Sequence, residues 1–418
     1  MTAADGTEAQ RDSVLERCIA VPRSVFASDY WGRQPLLSRS ADLGGRFDDL
    51  FSLAAADELI ADRALRTPFV RMATEGSLLA ASRYTGGAGF GAEVADQLDP
   101  DRVLAEFAGG ATLVLQGLHR TWPALRDFTR DLVEELGHPA QVNAYITPAS
   151  SRGFDPHYDV HDVLVIQIHG SKHWTIHRPV LDDPLRSQPW ADRADAVAAR
   201  ATEEPIIDET FAPGDVLYLP RGWIHSAMAL GGTSVHLTVG ISAMTRWDLV
   251  EQLVDRLRDD AGLRSSLPLG VGGVGAGGLD ADELESIVRE TAAAMASGLS
   301  EHGQPTAAIA EELARRLAAA TRPQPVRPLA TVERLARLSA TDTVRWRLGL
   351  RPVVSADDRS VHVRLRTSTV SLPVEAHAAL LELASGAPVR VDSLAGLDSA
   401  SSLTVARRLV LEGVLVLE

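Results

Sequence analysis

His157-Tyr158-Asp159 places an imidazole and a carboxylate two residues apart. In extended backbone, residues i and i+2 face the same side, so both side chains converge on one point. A third ligand has to arrive from a distant segment. His225 closes Leu219-Pro-Arg-Gly-Trp-Ile-His225, which follows a turn and a strand able to return beside the first. Two histidines and one carboxylate make a facial triad that leaves three coordination positions open. That geometry suits Fe(II) oxygenases. His161 shares the strand face of His157 and Asp159 and is the rival ligand. It ranks lower because three ligands in a row on one strand do not reach one facial site comfortably. Zinc on two histidines and an acid is a second rival. It needs a general base, and the chain has no His-Glu-x-x-His helix. His169, His173 and His177 crowd the same region among 12 histidines and read as packing or surface residues.

Lys172 is the one lysine among 41 basic residues. A strand from Lys172 to His177 puts Lys172, Trp174 and Ile176 on one face. Trp174 and Ile176 read as core-directed, which turns the lysine inward. A buried ammonium needs an anionic partner, and the adjacent sequence offers no matching carboxylate. A dicarboxylate cosubstrate would supply one: its keto-acid end chelates iron and its far carboxylate meets the lysine. Tyr145, on an earlier strand, can donate a hydrogen bond to the same carboxylate. The bland alternative is a lysine at a strand end that snorkels to water.

The elements that must position these residues follow from patterning. A helix is expected from Trp122 to Leu136, capped by Thr121, with Pro123 in its first turn and Gly137 ending it. Val142 to Thr147 alternates as a strand. Val163 to Ile168 is almost wholly apolar, as a buried strand is. Gly170 and Ser171 offer a turn, with Lys172 to His177 running back. Pro213-Gly-Asp215 is a turn before Val216 to Leu219, and Ser234 to Ile241 alternates again. Short antiparallel strands between turns predict a double-stranded β-helix, the jelly-roll architecture of cupins. The class is therefore α+β.

After Trp247 the pattern turns helical, with Trp247, Val250, Leu253, Val254 and Leu257 on one apolar face. Further helices are expected near Asp280–Ser297, Thr306–Ala320 and Thr331–Leu348, after a glycine-rich linker from Gly270 to Gly278. The tail reads as strand, helix, helix, strand, a winged-helix-like order. The expected domains are 1–245 (catalytic), 246–328 (helical) and 329–418 (winged-helix-like).

The chain has 418 residues and a formal charge of -15. That charge does not suit a protein that coats nucleic-acid phosphates. One cysteine, Cys18, excludes an intramolecular disulfide and a cysteine-based zinc site. No apolar run of membrane-spanning length occurs, and the polar, acidic N-terminus lacks the features of a signal peptide. A cytoplasmic location is the expectation.

The stretches Asn143-Ala-Tyr-Ile-Thr-Pro148, Gly153-Phe-Asp-Pro-His-Tyr-Asp159, Asp162-Val-Leu-Val-Ile-Gln-Ile168 and Gly170-Ser-Lys-His-Trp174 resemble the JmjC-type ribosomal oxygenases, a cupin-like group. Leu219-Pro-Arg-Gly-Trp-Ile-His225, Val235-His-Leu-Thr-Val-Gly240 and Trp31-Gly-Arg-Gln-Pro35 continue the likeness, which covers residues 20–245 densely. The resemblance implies Fe(II) on His157, Asp159 and His225. It implies 2-oxoglutarate on Lys172 and Tyr145, with Asn143 nearby. It also implies a homodimer through the helical segment and hydroxylation of a ribosomal-protein side chain, histidine or arginine. The lysine and tyrosine are similar to those of the histidine-hydroxylating branch. Relatives acting on peptide natural-product precursors keep that substrate class open. A non-oxygenase metal cupin and a non-catalytic binding protein remain as alternatives. The first lacks a reason for a buried Lys172; the second would place the work in the tail, where Arg345, Arg347, Arg351, Arg364 and Arg366 could touch nucleic acid.

Overall fold

The computed structural model describes residues 13–74, 76–91, 93–149, 151, 155–269, 281–301 and 306–418. The glycine-rich stretch from Gly270 to Gly278 and the N-terminus to Arg11 lie outside the described residues. The chain divides into two compact units, Met1–Ala243 with Thr321–Glu418, and Met244–Ala320.

The first unit is built on a nine-stranded antiparallel sheet. Its strands are β1 (Leu36–Ser38), β2 (Val70–Thr74), β3 (Ser77–Leu78), β4 (Thr112–Leu115), β5 (Ala140–Thr147), β6 (Asp162–His177), β7 (Ile207–Phe211), β8 (Val216–Leu219) and β9 (Ile224–Ile241). The spatial order is β1-β8-β6-β9-β5-β4-β2-β3, with β7 also on β6. The α+β class with antiparallel sheets is as the alternating strands predicted.

The expected turn at Gly170-Ser171 is not there. Residues 162–177 form one continuous strand, β6, paired along its length with β9. Register breaks between Leu230 and His236 mark a bulge opposite Gly170, whose φ is +64°. The bulge bends the strand pair rather than reversing it. From Asp162 to Ile168, β6 is buried on both faces; from Lys172 on, Lys172, Trp174 and Ile176 are buried and His173 and Thr175 only partly so. Leu164, Ile166 and Ile168 join the large core with Val142, Val235 and Leu237. Val163 and Val165, of opposite parity, join Trp174, Ile176, Phe211 and Leu217 in an inner cluster. Residues eleven apart on a single strand meet there, so the bent sheet wraps an interior.

The helix α1 (Pro123–Leu136) packs Leu125, Phe128 and Leu132 into the large core. Burying each contributes about 1.5–3 kcal/mol. Gly137 ends it at φ +69°. Thr121 does not cap it: Thr121 closes a preceding short helix, Leu118–Thr121, and Trp122 occupies the cap position without a side-chain bond.

Residues 321–418 hold an apolar core of their own, including Val344, Trp346, Val363, Leu380 and Leu409. The expected helix 331–348 is a second correction. A short helix, Pro328–Leu335, gives way to a strand, Thr343–Trp346. Asp342 accepts from the Ser339 backbone N–H at 2.7 Å and closes the turn between them. Val344 and Trp346 alternate inward, a period of two. The expected tail elements are present as Ser360–Arg364, His377–Ala384, Ser399–Leu411 and Leu415–Leu417, with two strands the pattern did not predict between them, Thr369–Pro373 and Val389–Arg390.

In the second unit, Thr245 and Asp248 form a reciprocal capping box at the start of α2 (Arg246–Arg256). Arg316, on α4 (Thr306–Ala320), reaches Asp248 at 3.1 Å. Between them in sequence runs α3 (Ala281–Glu301). Among the described helices none is long and apolar enough to cross a membrane.

Candidate functional site

The three predicted ligands come together. One ligand atom from each of His157, Asp159 and His225 lies within 4.8 Å of the others. The backbones of His157 and His225 exchange two hydrogen bonds, at 3.2 and 2.8 Å, so the loop carrying the first ligand is tied to the strand carrying the last. Gly222 N–H donates to the Asp159 carbonyl at 3.0 Å. Its φ of +88° and the Leu181 carbonyl 2.7 Å from an added Cβ require glycine.

A second tie lies just outside. The buried Asp162 carboxylate accepts from Tyr218 Oη at 2.7 Å, and from the Arg221 backbone and guanidinium at 3.1 and 3.3 Å. Arg221 also reaches Asp183 at 2.8 Å. These bonds lock the 157–162 loop to the 218–225 segment.

Each imidazole is oriented by a carbonyl. His157 Nδ1 lies 2.7 Å from the Asp155 carbonyl and His225 Nδ1 lies 3.1 Å from the Trp223 carbonyl. An Nδ1–H donated to a carbonyl leaves the lone pair on Nε2, the state a metal requires. His225 Nε2 is 3.7 Å from Asp159 Oδ2. Burial pushes the His225 imidazole down to about 4, with His157 acting the same way, so the ring is neutral. Burial pushes the Asp159 carboxyl up, but His225, His161, His157 and Arg71 outweigh it and hold the carboxyl below its ordinary value. His161 is not part of the three-ligand group; its ring sits 2.7 Å from where a Cβ on Gly240 would lie.

The triad opens onto a cavity of about 240 Å³ that also takes in Lys172, Tyr145, Arg71, His236 and Trp190. Lys172 is 3% exposed. Its Nζ donates to Thr147 Oγ1 at 3.2 Å and stands 5.9 Å from the Trp174 ring centre. Among the described residues no carboxylate pairs with it, and burial alone pulls its ammonium down to about 7. The inward direction expected for Lys172 is therefore correct, although the hairpin invoked for it is not: the lysine follows the bend in β6. Tyr145 Oη lies 3.5 Å from Arg71 Nη2, and the phenol stacks on His236 with ring centres 5.0 Å apart. Burial raises the Tyr145 pKa, so the phenol keeps its proton.

Asn143 is not among the cavity-lining residues. Its Oδ1 accepts from Gly117 N–H at 3.0 Å, a bond that ties the segment just after β4 to the middle of β5. Arg71, Trp190 and His236 are among the lining residues that the sequence reading did not single out. Arg71 was hidden in an arginine-rich chain. Trp190 sits on a short helical turn with no local signal, 6.2 Å from the His157 ring. His236 did leave a trace: Ser234, His236 and Thr238 share one parity of an otherwise apolar strand.

Residues 120–249 match the family model described as "JmjC domain". The chain is 30% identical over 269 residues to "Ribosomal oxygenase 1" of Gallus gallus, covering 62% of this chain and 43% of that protein. It is 29% identical over 239 residues to "Ribosomal oxygenase 1" of Homo sapiens, covering 56% and 35%. The match spans less than half the length of these curated relatives. Among solved structures, ycfD of E. coli superimposes with a TM-score of 0.53 at 20% identity, covering 95% of this chain and 98% of that one. A complex of the same E. coli ribosomal oxygenase with cobalt and succinic acid gives 0.51 at 19%, covering 96% and 99%. At these identities the structural likeness is one of fold.

Proposed function

We propose that this chain, whose residues 120–249 match a JmjC domain and which is similar to ribosomal oxygenases, is a member of the JmjC-type ribosomal oxygenase family and an Fe(II)- and 2-oxoglutarate-dependent hydroxylase of a protein or peptide side chain. The observation that carries the reading is the pairing, in one cavity, of a two-histidine, one-carboxylate cluster with a buried, carboxylate-free lysine. Two nitrogens and one oxygen with oriented imidazoles fit Fe(II). Bound there with 2-oxoglutarate, the iron supplies O2 activation coupled to decarboxylation, giving succinate, CO2 and a hydroxylated C–H position.

His157, Asp159 and His225 hold the metal and leave coordination positions open. Lys172 and Tyr145 anchor the far carboxylate. Once that carboxylate is bound, the ammonium has its counter-charge and the burial cost falls. The inner apolar wall, Val163, Val165 and Trp174, keeps bulk water from this end. Trp190 stands beside His157 at the wall of the cavity. A lyase or isomerase cupin using the same ligands would have no use for Lys172.

The finer reading assigns residues 1–245 to catalysis, 246–328 to homodimerisation and 329–418 to a winged-helix-like domain. The relatives' names point to a ribosomal protein as substrate; the sequence resemblance adds histidine or arginine as the residue modified, and a natural-product precursor peptide is the second substrate class. The test is succinate formation from 2-oxoglutarate by purified protein with Fe(II). His157→Ala and Asp159→Ala are expected to abolish it and to lose metal. Turnover by both variants with iron still bound would sink the assignment.

A further inference from the structure

His236 is a buried titratable group that the reading above leaves without a task. It lies on β9 directly opposite Tyr145 in the strand register. It is 3% exposed. Its ring is parallel to Tyr145, at 3° and 5.0 Å, and edge-on to Trp174 at 82° and 5.3 Å. Lys172 Nζ stands 5.9 Å from that same Trp174 ring, so His236, Tyr145 and Lys172 share one end of the cavity.

The two ring nitrogens differ. Nδ1 is sealed within protein and has no hydrogen-bond partner. The ring nevertheless lines the cavity, so Nε2 is the nitrogen available to a ligand. Burial pushes the imidazole well below its usual pKa, and Lys172 and His225 act in the same direction, so the ring carries one proton. A buried N–H without a partner costs more than a buried lone pair without one. The proton therefore resides on Nε2, as a neutral donor facing the cavity.

We infer that His236 is a ligand-binding residue, whose Nε2–H donates to the distal carboxylate of the dicarboxylate cosubstrate alongside the Lys172 ammonium. The inference rests on the reading of this cavity as a 2-oxoglutarate site. Its chemistry is one of matched charge. A carboxylate carries one negative charge, which Lys172 balances, and about four lone-pair positions. The remaining positions call for neutral donors, and the Tyr145 hydroxyl and the His236 N–H supply them. Arg71 already brings a second cation to this end, 3.5 Å from Tyr145 Oη, so a neutral donor at position 236 adds a hydrogen bond without adding further charge.

The experiment is a calorimetric titration of 2-oxoglutarate into the full chain loaded with Mn(II), which binds without turnover. Three variants are compared with the parent protein. His236→Phe keeps a flat ring between Tyr145 and Trp174 but has no donor. His236→Gln places a donor near the Nε2 position, and His236→Asn near the Nδ1 position. The expected result is a loss of affinity of about ten- to hundredfold for His236→Phe, the weight of a hydrogen bond to a charged group, with Mn(II) affinity unchanged. His236→Gln recovers part of it and binds more tightly than His236→Asn. Parent-like affinity in His236→Phe overturns the inference, as does equal affinity in the Gln and Asn variants, a comparison that stands even where the Phe variant does not fold. Absence of 2-oxoglutarate binding by the Mn(II)-loaded parent protein overturns the cosubstrate reading itself.

Discussion

Lys172 links residue chemistry to pH. Burial lowers its ammonium to about 7 in the protein without ligand. At pH 8 Lys172 in the free site is therefore mostly neutral, whereas a bound carboxylate stabilises its charged form. Binding of 2-oxoglutarate at pH 8 should take up close to one proton, about none at pH 6, and affinity should fall by about tenfold per pH unit above 7. Calorimetry in two buffers of different ionisation enthalpy measures this; equal heats at pH 8 would remove Lys172 from the carboxylate's surroundings. The same depression has a sign for folding. The unfolded lysine titrates near its ordinary value, so burying it costs stability as pH falls below that value, and the cost is complete below about 7. A bound dicarboxylate relieves it. Lys172→Ala is expected to raise the 2-oxoglutarate requirement strongly and leave metal binding intact. Lys172→Arg is not expected to restore it, because the planar fork is longer and differently shaped. Titrating both variants with 2-oxoglutarate settles the point; parent-like affinity in Lys172→Ala would place the anion elsewhere.

The element that aims this lysine is the bend in β6, and Gly170 makes the bend possible. At φ +64°, an added Cβ would lie 2.2 Å from the Thr233 carbonyl oxygen. Gly170→Ala therefore strains the backbone and forces β6 from β9, costing about 1–3 kcal/mol. It also displaces Lys172 two residues on. Urea unfolding should show the loss of stability, and 2-oxoglutarate affinity should fall while the triad, anchored by its own backbone exchange, still binds metal. A parent-like melting curve would contradict this. The same bend shows where local pattern fails. Gly170-Ser171 carries the composition of a turn, and only pairing with β9, sixty residues on, makes the chain bend there without reversing. Thr121 failed as a cap for a similar reason, since a short helix upstream claimed it. Residues 331–348 failed because a turn closed by Ser339 and Asp342 broke a helical period that Leu335 and Leu338 fitted. The triad was legible from residue type and spacing, although His157 and Asp159 sit on a loop with a single bridge to His225 and not on a strand; Lys172 was legible because its parity with the buried Trp174 and Ile176 holds on β6 whether or not a hairpin precedes it. Arg71 and Trp190 were not, since only the folded sheet brings distant segments to the cavity.

At the scale of the whole molecule, α2 leaves Trp247, Val250 and Val254 between 40% and 51% exposed. Three large apolar side chains on one short helix are more than a solvated helix needs, and a second copy is the occupant we expect. Light scattering at micromolar concentration should report a dimer, and Val250→Glu with Val254→Glu a monomer; a monomeric parent protein would refute it. The substrate prediction belongs to the same scale. A formal charge of -15 attracts basic partners and slows acidic ones. Asp155 stands exposed two residues before His157, so negative charge continues to the approach to the metal ligands. A basic peptide bound partly outside the cavity, with one side chain reaching the metal, should show a KM that rises with ionic strength, since surface attraction is screened over about 10 Å at 0.1 M salt. A free amino acid, bound wholly inside, should show little salt dependence and poor turnover. The measurement offers basic ribosomal-protein peptides and free amino acids side by side, at low and high salt, and follows the added oxygen atom by mass. Efficient hydroxylation of a free amino acid with no modified peptide would remove the protein-substrate reading. Peptide turnover indifferent to salt would remove the electrostatic part alone and leave recognition to shape within the cavity.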